Sequence, residues 1–116
     1  MSEADLGLAL SLAFPYRFPR LLIERRNILN VETRDGWRAR SGKKGQADYF
    51  VSGRGVHIEI ETKAAKHKWY AQQVAWRKRC GDLGIPYLVA RALPGEDPDV
   101  TVARWLDEIE AMVSPC

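Results

Sequence analysis

The pattern of helix, strands, helix, strand and helix along the chain predicts an α/β domain with a mixed β-sheet flanked by α-helices. Three observations carry this. Two runs of high β propensity flank Gly53-Arg54-Gly55, the stretch from Ala64 to Cys80 contains neither Gly nor Pro, and Asp97-Pro98 opens a tail with apolar residues at helical intervals.

In chain order, Ser2 is placed to cap a helix with Glu3 and Asp5 in its first turn, running to about Phe14, where Pro15 should end it. Leu21-Leu22-Ile23 reads as a short strand. Asn30 to Thr33 and Trp37 to Arg40 read as a hairpin closed by Asp35-Gly36. A second hairpin spans Ala47 to Lys63, and a helix is expected from Ala64 to Cys80 with Gly81 at its end, since Trp69, Trp76 and Cys80 repeat at helical spacing. Tyr87 to Ala90 reads as a buried strand. From Pro98 to about Met112, Val100, Ala103, Trp105, Leu106 and Ile109 mark a covering helix.

The 116 residues suffice for one domain, 1–116, and division would leave pieces too small to bury a core. With 46% apolar and 28% charged residues the composition is globular. Its 18 Lys and Arg against 15 Asp and Glu give a formal charge of +3, compatible with a polyanionic partner. Cys80 and Cys116 cannot make a disulfide framework, so a reducing, cytoplasmic setting is expected, with Cys80 in the core. The apolar stretch Leu6 to Phe14 follows acids and is far shorter than the roughly 20 residues that span a bilayer, so neither export nor membrane insertion is expected.

The second hairpin is where chemistry shows. A two-residue turn at Arg54-Gly55 places Asp48 opposite Glu61 and sorts Tyr49, Val51, Val56, Ile58 and Ile60 onto one face. Asp48, Phe50, His57, Glu59, Glu61 and Lys63 take the other. Two opposed carboxylates repel and call for a cation. Either Lys63 and solvent suffice, with the acids on an exposed charged face, or the acids select a hard divalent ion such as Mg²⁺. Gln73 lies in one stripe with Trp69, Trp76 and Cys80, an amide on an apolar face; it either reaches water at the stripe edge or orients Lys63 and the carboxylates.

Asp48, the hairpin, Glu61-Thr62-Lys63, Gln73 three residues before Trp76, and Gly84 to Val89 together resemble the VRR-NUC branch of the PD-(D/E)XK nucleases. Lys44 to Asp48 is similar to that family's glycine-containing lead into its metal-binding aspartate, and Arg26-Asn27 to its upstream Arg-Asn pair. The match covers most of residues 20–92, with Ala47 where the superfamily has proline. Glu3 corresponds to the acid on the first helix, with Glu24 as competitor. Glu59-Ile60-Glu61 is a rival to Glu61-Thr62-Lys63, which keeps the cation.

The resemblance implies a restriction-endonuclease-like core and metal-dependent hydrolysis of DNA phosphodiesters. Asp48, Glu61, the Thr62 carbonyl and Glu3 would bind Mg²⁺ or Mn²⁺. Lys63 would orient the attacking water, Gln73 would hold these groups, and His57 is a further candidate base. Lys43, Lys44 and Arg26 are the favoured DNA contacts among the basic residues. The resemblance to small stand-alone, phage-type members implies a homodimer acting on four-way junctions in a bacterial or phage-infected cell. Single-strand, flap or nonspecific duplex cleavage, and a non-catalytic nucleic-acid-binding module, are the alternatives.

Overall fold

A computed structural model describes residues 2–26, 30–32, 38–40, 46–65 and 68–113, with 30–32 and 38–40 described by backbone alone. Helix α1 spans Glu3–Arg17. Ser2 caps it, its hydroxyl accepting from the Asp5 N–H at 3.1 Å. Pro15 does not end this helix but lies in its last turn. One helical bond is lost there, and continuing the turn buries Phe14 and Phe18 with ring centroids 4.9 Å apart, which offsets the cost.

Strand β1 (Leu22–Arg25) pairs antiparallel with β4 (Tyr49–Gly53), which pairs antiparallel with β5 (Val56–Lys63). Strand β6 (Tyr87–Arg91) adds in parallel to β5, giving a mixed sheet in the order β1-β4-β5-β6. Strands β2 (Asn30–Glu32) and β3 (Arg38–Arg40) form a separate antiparallel pair, as the sequence predicts; the Asp35-Gly36 turn lies outside the described residues. The β4–β5 register is the expected one, Tyr49 opposite Ile60 and Val51 opposite Ile58. It is set by the turn, in which Arg54 and Gly55 both adopt positive φ (50° and 78°), the twist that suits a two-residue hairpin.

Helix α2 runs from Ala71 to Asp82 and α3 from Pro98 to Val113. Of the residues before Ala71 expected to be helical, Ala64, Ala65 and 68–70 are not: the Lys68 carbonyl accepts from Lys63 Nζ, and the Tyr70 N–H donates to Gln73 Oε1, which makes Tyr70 the N-cap and starts the helix after it. Trp69 therefore precedes the stripe that Gln73, Trp76 and Cys80 form. Gly81 lies inside the last turns of α2, and Gly84, at φ 70°, makes the turn after it. Asp97 caps α3 as expected, accepting from the Asp99 N–H at 2.9 Å.

The core lies between one sheet face and α1 with α3. Leu6, Leu10, Phe14, Tyr49, Val51, Ile58, Ile60, Val102, Trp105, Leu106 and Ile109 pack there. Val100 and Ala103 are exposed instead, and Thr101 and Val102 face inward, because α3 is turned to bury Trp105 with its indole N–H on the Arg91 carbonyl. In β6 only Ala90 is fully buried; the strand forms one margin of the sheet and is half-covered, not a buried strand. No helix among the described residues is long and apolar enough to cross a membrane.

Candidate metal centre

Because strand side chains alternate, the face of β5 opposite the core carries Glu59, Glu61 and Lys63. These are not an exposed, solvated row: all three are at most 1% exposed, beneath α2 and the segment that leads into it. Ionised groups at that depth require partners.

Asp48 lies one residue before the β4 ladder begins, where the register would set it opposite Glu61. Its N–H donates to Glu61 Oε2 at 3.1 Å, and its Oδ2 accepts from the Thr62 hydroxyl at 3.1 Å. Glu3, in the first turn of α1, is brought to the same point. Its Oε2 accepts from the Ala64 N–H at 3.2 Å, at the end of β5. One carboxylate oxygen from each of Glu3, Asp48 and Glu61 lies within 4.8 Å of the others. Burial, then the charge of Asp48, pushes Glu61 up to about 8, and burial raises Asp48 as well.

An octahedral ion with ligands at about 2.1 Å holds oxygens up to about 4.2 Å apart, so a small side-chain rotation would seat all three. The donors are hard carboxylate oxygens, and their mutual repulsion is what a divalent cation relieves. The residues therefore fit Mg²⁺ or Mn²⁺. Glu24, the competitor of Glu3, is exposed on β1 and is not among the converging acids.

Lys63 and Gln73 complete the site. Lys63 Nζ donates to Gln73 Oε1 at 2.7 Å and to the Lys68 carbonyl at 3.2 Å, and lies 3.8 Å from Glu61 Oε1. Gln73 Nε2 donates to the same Glu61 oxygen at 2.8 Å. The amide thus joins the ammonium to the carboxylate, the second of its two sequence readings. Trp69 and Tyr70 place their rings 5.0 and 5.7 Å from Nζ, a cation–π environment that holds the buried charge.

Glu59 belongs to a different group of residues. Its carboxylate is gripped by Arg26 (2.7 and 2.8 Å), His57 Nε2 (2.9 Å) and the Trp76 indole N–H (3.2 Å), so the Glu59-Ile60-Glu61 alternative is not the arrangement found. Arg26, chosen from sequence as a DNA contact, is instead committed to Glu59 and stacks over Phe50 at 4.7 Å. No sequence signal links residues 33 positions apart; the buried partner decides it. Lys43 and Lys44 lie outside the described residues.

A cleft of about 270 Å³ opens beside the acids, lined by Glu3, Ala4, Arg25, Asp48, Tyr49 and Thr62. Arg25 was one basic residue among many in the sequence. Its pairing with Tyr49 across the β1–β4 ladder brings it to this cleft, and the pairing follows only once β1 is registered on β4.

No protein-family model matches the chain, and no curated protein matches it. Among solved structures it is similar to Archaeoglobus fulgidus Hjc, a Holliday junction resolvase from an archaeal hyperthermophile. The TM-score is 0.46 and the identity 16%, over 78% of this chain and 71% of that one. At that distance the functional reading rests on the side chains.

Proposed function

We propose that the chain is a divalent-metal-dependent nuclease that hydrolyses phosphodiester bonds in DNA. The convergence of Glu3, Asp48 and Glu61 beside a cleft, with a buried ammonium joined to Glu61 through Gln73, carries this reading. Glu3, Asp48 and Glu61 would hold Mg²⁺ or Mn²⁺, which when bound lowers the pKa of water and neutralises charge on a scissile phosphate.

The chain's own groups supply the rest. The Thr62 hydroxyl and the Asp48 N–H fix the two acids relative to each other. Lys63 stabilises Glu61 as an anion and provides positive potential where negative charge develops. Arg25 lines the cleft as a cation for a neighbouring phosphate, a contact that is independent of sequence and weakened by salt. Branched DNA bound by a homodimer is the substrate we propose, since a two-fold enzyme matches a quasi-symmetric four-way junction.

The test is cleavage of junction, flap and linear duplex DNA at equal salt, with Mg²⁺ or with chelator. We expect Mg²⁺-dependent cleavage, fastest on the junction, and a loss of at least about 100-fold in Asp48→Asn. Undiminished cleavage by Asp48→Asn, or cleavage in chelator, removes the assignment. Equal rates on all three DNAs remove the branched substrate alone.

A further inference from the structure

The fourth acid has no place in that reading, yet it is among the most thoroughly bonded groups in the protein. A carboxylate offers about four lone-pair sites. On Glu59 all four are taken: Oε1 accepts from Arg26 Nη1 and Trp76 Nε1, and Oε2 accepts from Arg26 Nη2 and His57 Nε2. Nothing is left for an ion. The question is what this carboxylate holds in place.

Arg26 reaches the metal-binding segment twice. Its Nη1 also donates to the Ala47 carbonyl at 3.2 Å, and its backbone N–H donates to the Asp48 carbonyl at 2.8 Å. Asp48 precedes the β4–β5 ladder, and its own N–H is spent on the Glu61 side chain, so no bond of that ladder fixes its peptide. Arg26 does so, and a guanidinium at 18% side-chain exposure stays there because Glu59 is its counter-charge in a bidentate fork. On its other side Glu59 accepts from Trp76, one turn along α2 from Gln73, the amide that joins Lys63 to Glu61.

We infer that Glu59 is a positioning residue for the metal centre: through Arg26 it sets the Asp48 ligand, and through Trp76 it sets the Gln73 amide. This rests on the proposed metal centre. Partners one bond removed from a metal's ligands typically contribute 10- to 100-fold to its affinity, and Glu59 acts on two of the groups at once.

The experiment is Mn²⁺ titration by calorimetry of the whole chain and of Glu59→Gln, with circular dichroism, melting temperature and DNA cleavage measured in parallel. Gln keeps the shape, removes the counter-charge and turns an N–H₂ toward donors. We expect Mn²⁺ binding about tenfold weaker, KM for DNA within about twofold, kcat reduced at subsaturating metal, and recovery of cleavage as Mn²⁺ is raised. A role confined to stability would lower the melting temperature and leave Mn²⁺ affinity unmoved, and that result overturns the inference.

Should Glu59→Gln fail to fold, Arg26→Lys decides. It keeps the charge but cannot fork to both oxygens, and is expected to weaken Mn²⁺ several-fold; unchanged affinity in that folded variant is equally fatal. If the wild-type chain binds Mn²⁺ but cleaves no DNA, the nuclease reading falls while weakened Mn²⁺ binding by Glu59→Gln sustains this one. Metal-dependent cleavage with equal Mn²⁺ affinity in both proteins removes this inference alone, and a wild type that binds no Mn²⁺ removes both.

Discussion

Ile58 and Ile60 on one face of β5, and Glu59, Glu61 and Lys63 on the other, are all at most 1% exposed, but they are buried by opposite means. On the apolar face each side chain contributes through the area it removes from water, and its neighbours ask only for volume. On the acid face nothing is favourable singly. Glu61 is tolerable because Lys63, Gln73 and the Asp48 N–H meet it, and Glu59 because Arg26, His57 and Trp76 do. The apolar face builds stability by addition, whereas the acid face trades it for a fixed arrangement of charge that has a use only if something is bound there.

The sharpest way to break this contrast is to remove one charge. At about pH 9, where Glu61 is ionised, Lys63→Met leaves that carboxylate buried without its ammonium and should cost about 3–5 kcal/mol in metal-free urea denaturation. Adding Glu61→Gln to it should restore more than half of that loss, since the unpaired charge is then gone. A double variant as unstable as the single one would show that Lys63 is held by packing. On the opposite face, Ile60→Ala should cost about 2–4 kcal/mol, and combined with Lys63→Met its effect should add to within about 0.5 kcal/mol unless the two faces communicate through the strand.

How much of this was legible in the sequence follows the same divide. The hairpin register was, because Tyr49, Val51, Ile58 and Ile60 alternate and Arg54-Gly55 dictates the turn. So was Gln73, an amide where an apolar residue was expected, and its bonds to Lys63 and Glu61 are those one of its two readings anticipated. What was not legible depended on side-chain partners that no local pattern announces. Arg26 reads as a free cation until Glu59 lies beside it. Residues 68–70 read as helix because no breaker marks them, and the bonds that keep them out of α2 come from the side chains of Lys63 and Gln73. The depth of the acids was invisible too, since charge on alternate strand positions reads as a solvated face.

The pH dependence separates the faces further. Glu61 is raised to about 8, and Asp48 is raised as well, mainly by burial. For an acid whose folded pKa exceeds its unfolded value, the folded form binds more protons between the two values. The penalty for ionising Glu61 is therefore absent below about 4.5, grows as pH rises, and is complete above about 8. Without metal, melting temperature should fall as pH rises through that window. Because a divalent ion competes with protons for the same oxygens, the stabilisation produced by one fixed concentration of Mg²⁺ should be small near pH 5 and larger near pH 8, reaching about 2.7 kcal/mol where that concentration is about 100 times the dissociation constant. A Mg²⁺ effect independent of pH would place the ion away from Glu61.

The smallest expected effect tests whether the faces are coupled at all. Gly7 lies where α1 crosses Tyr49, and a methyl group there would come within 2.8 and 2.9 Å of the Tyr49 ring, with the hydroxyl closer still. Ala gains about 1 kcal/mol over Gly inside a helix, whereas overpacking a buried contact costs about 1–3 kcal/mol, so Gly7→Ala should lose about 1 kcal/mol net. The variant matters more for where it pushes. Tyr49 is buried at 4% exposure and cannot easily yield, so α1 must lift, and Glu3 sits one turn away at the end of that helix. Weaker Mn²⁺ binding in Gly7→Ala, recovered when Tyr49→Leu makes room, would show that an apolar contact sets the reach of an acid ligand. A more stable Gly7→Ala with unaltered Mn²⁺ affinity would show that α1 seats itself without regard to the Tyr49 ring.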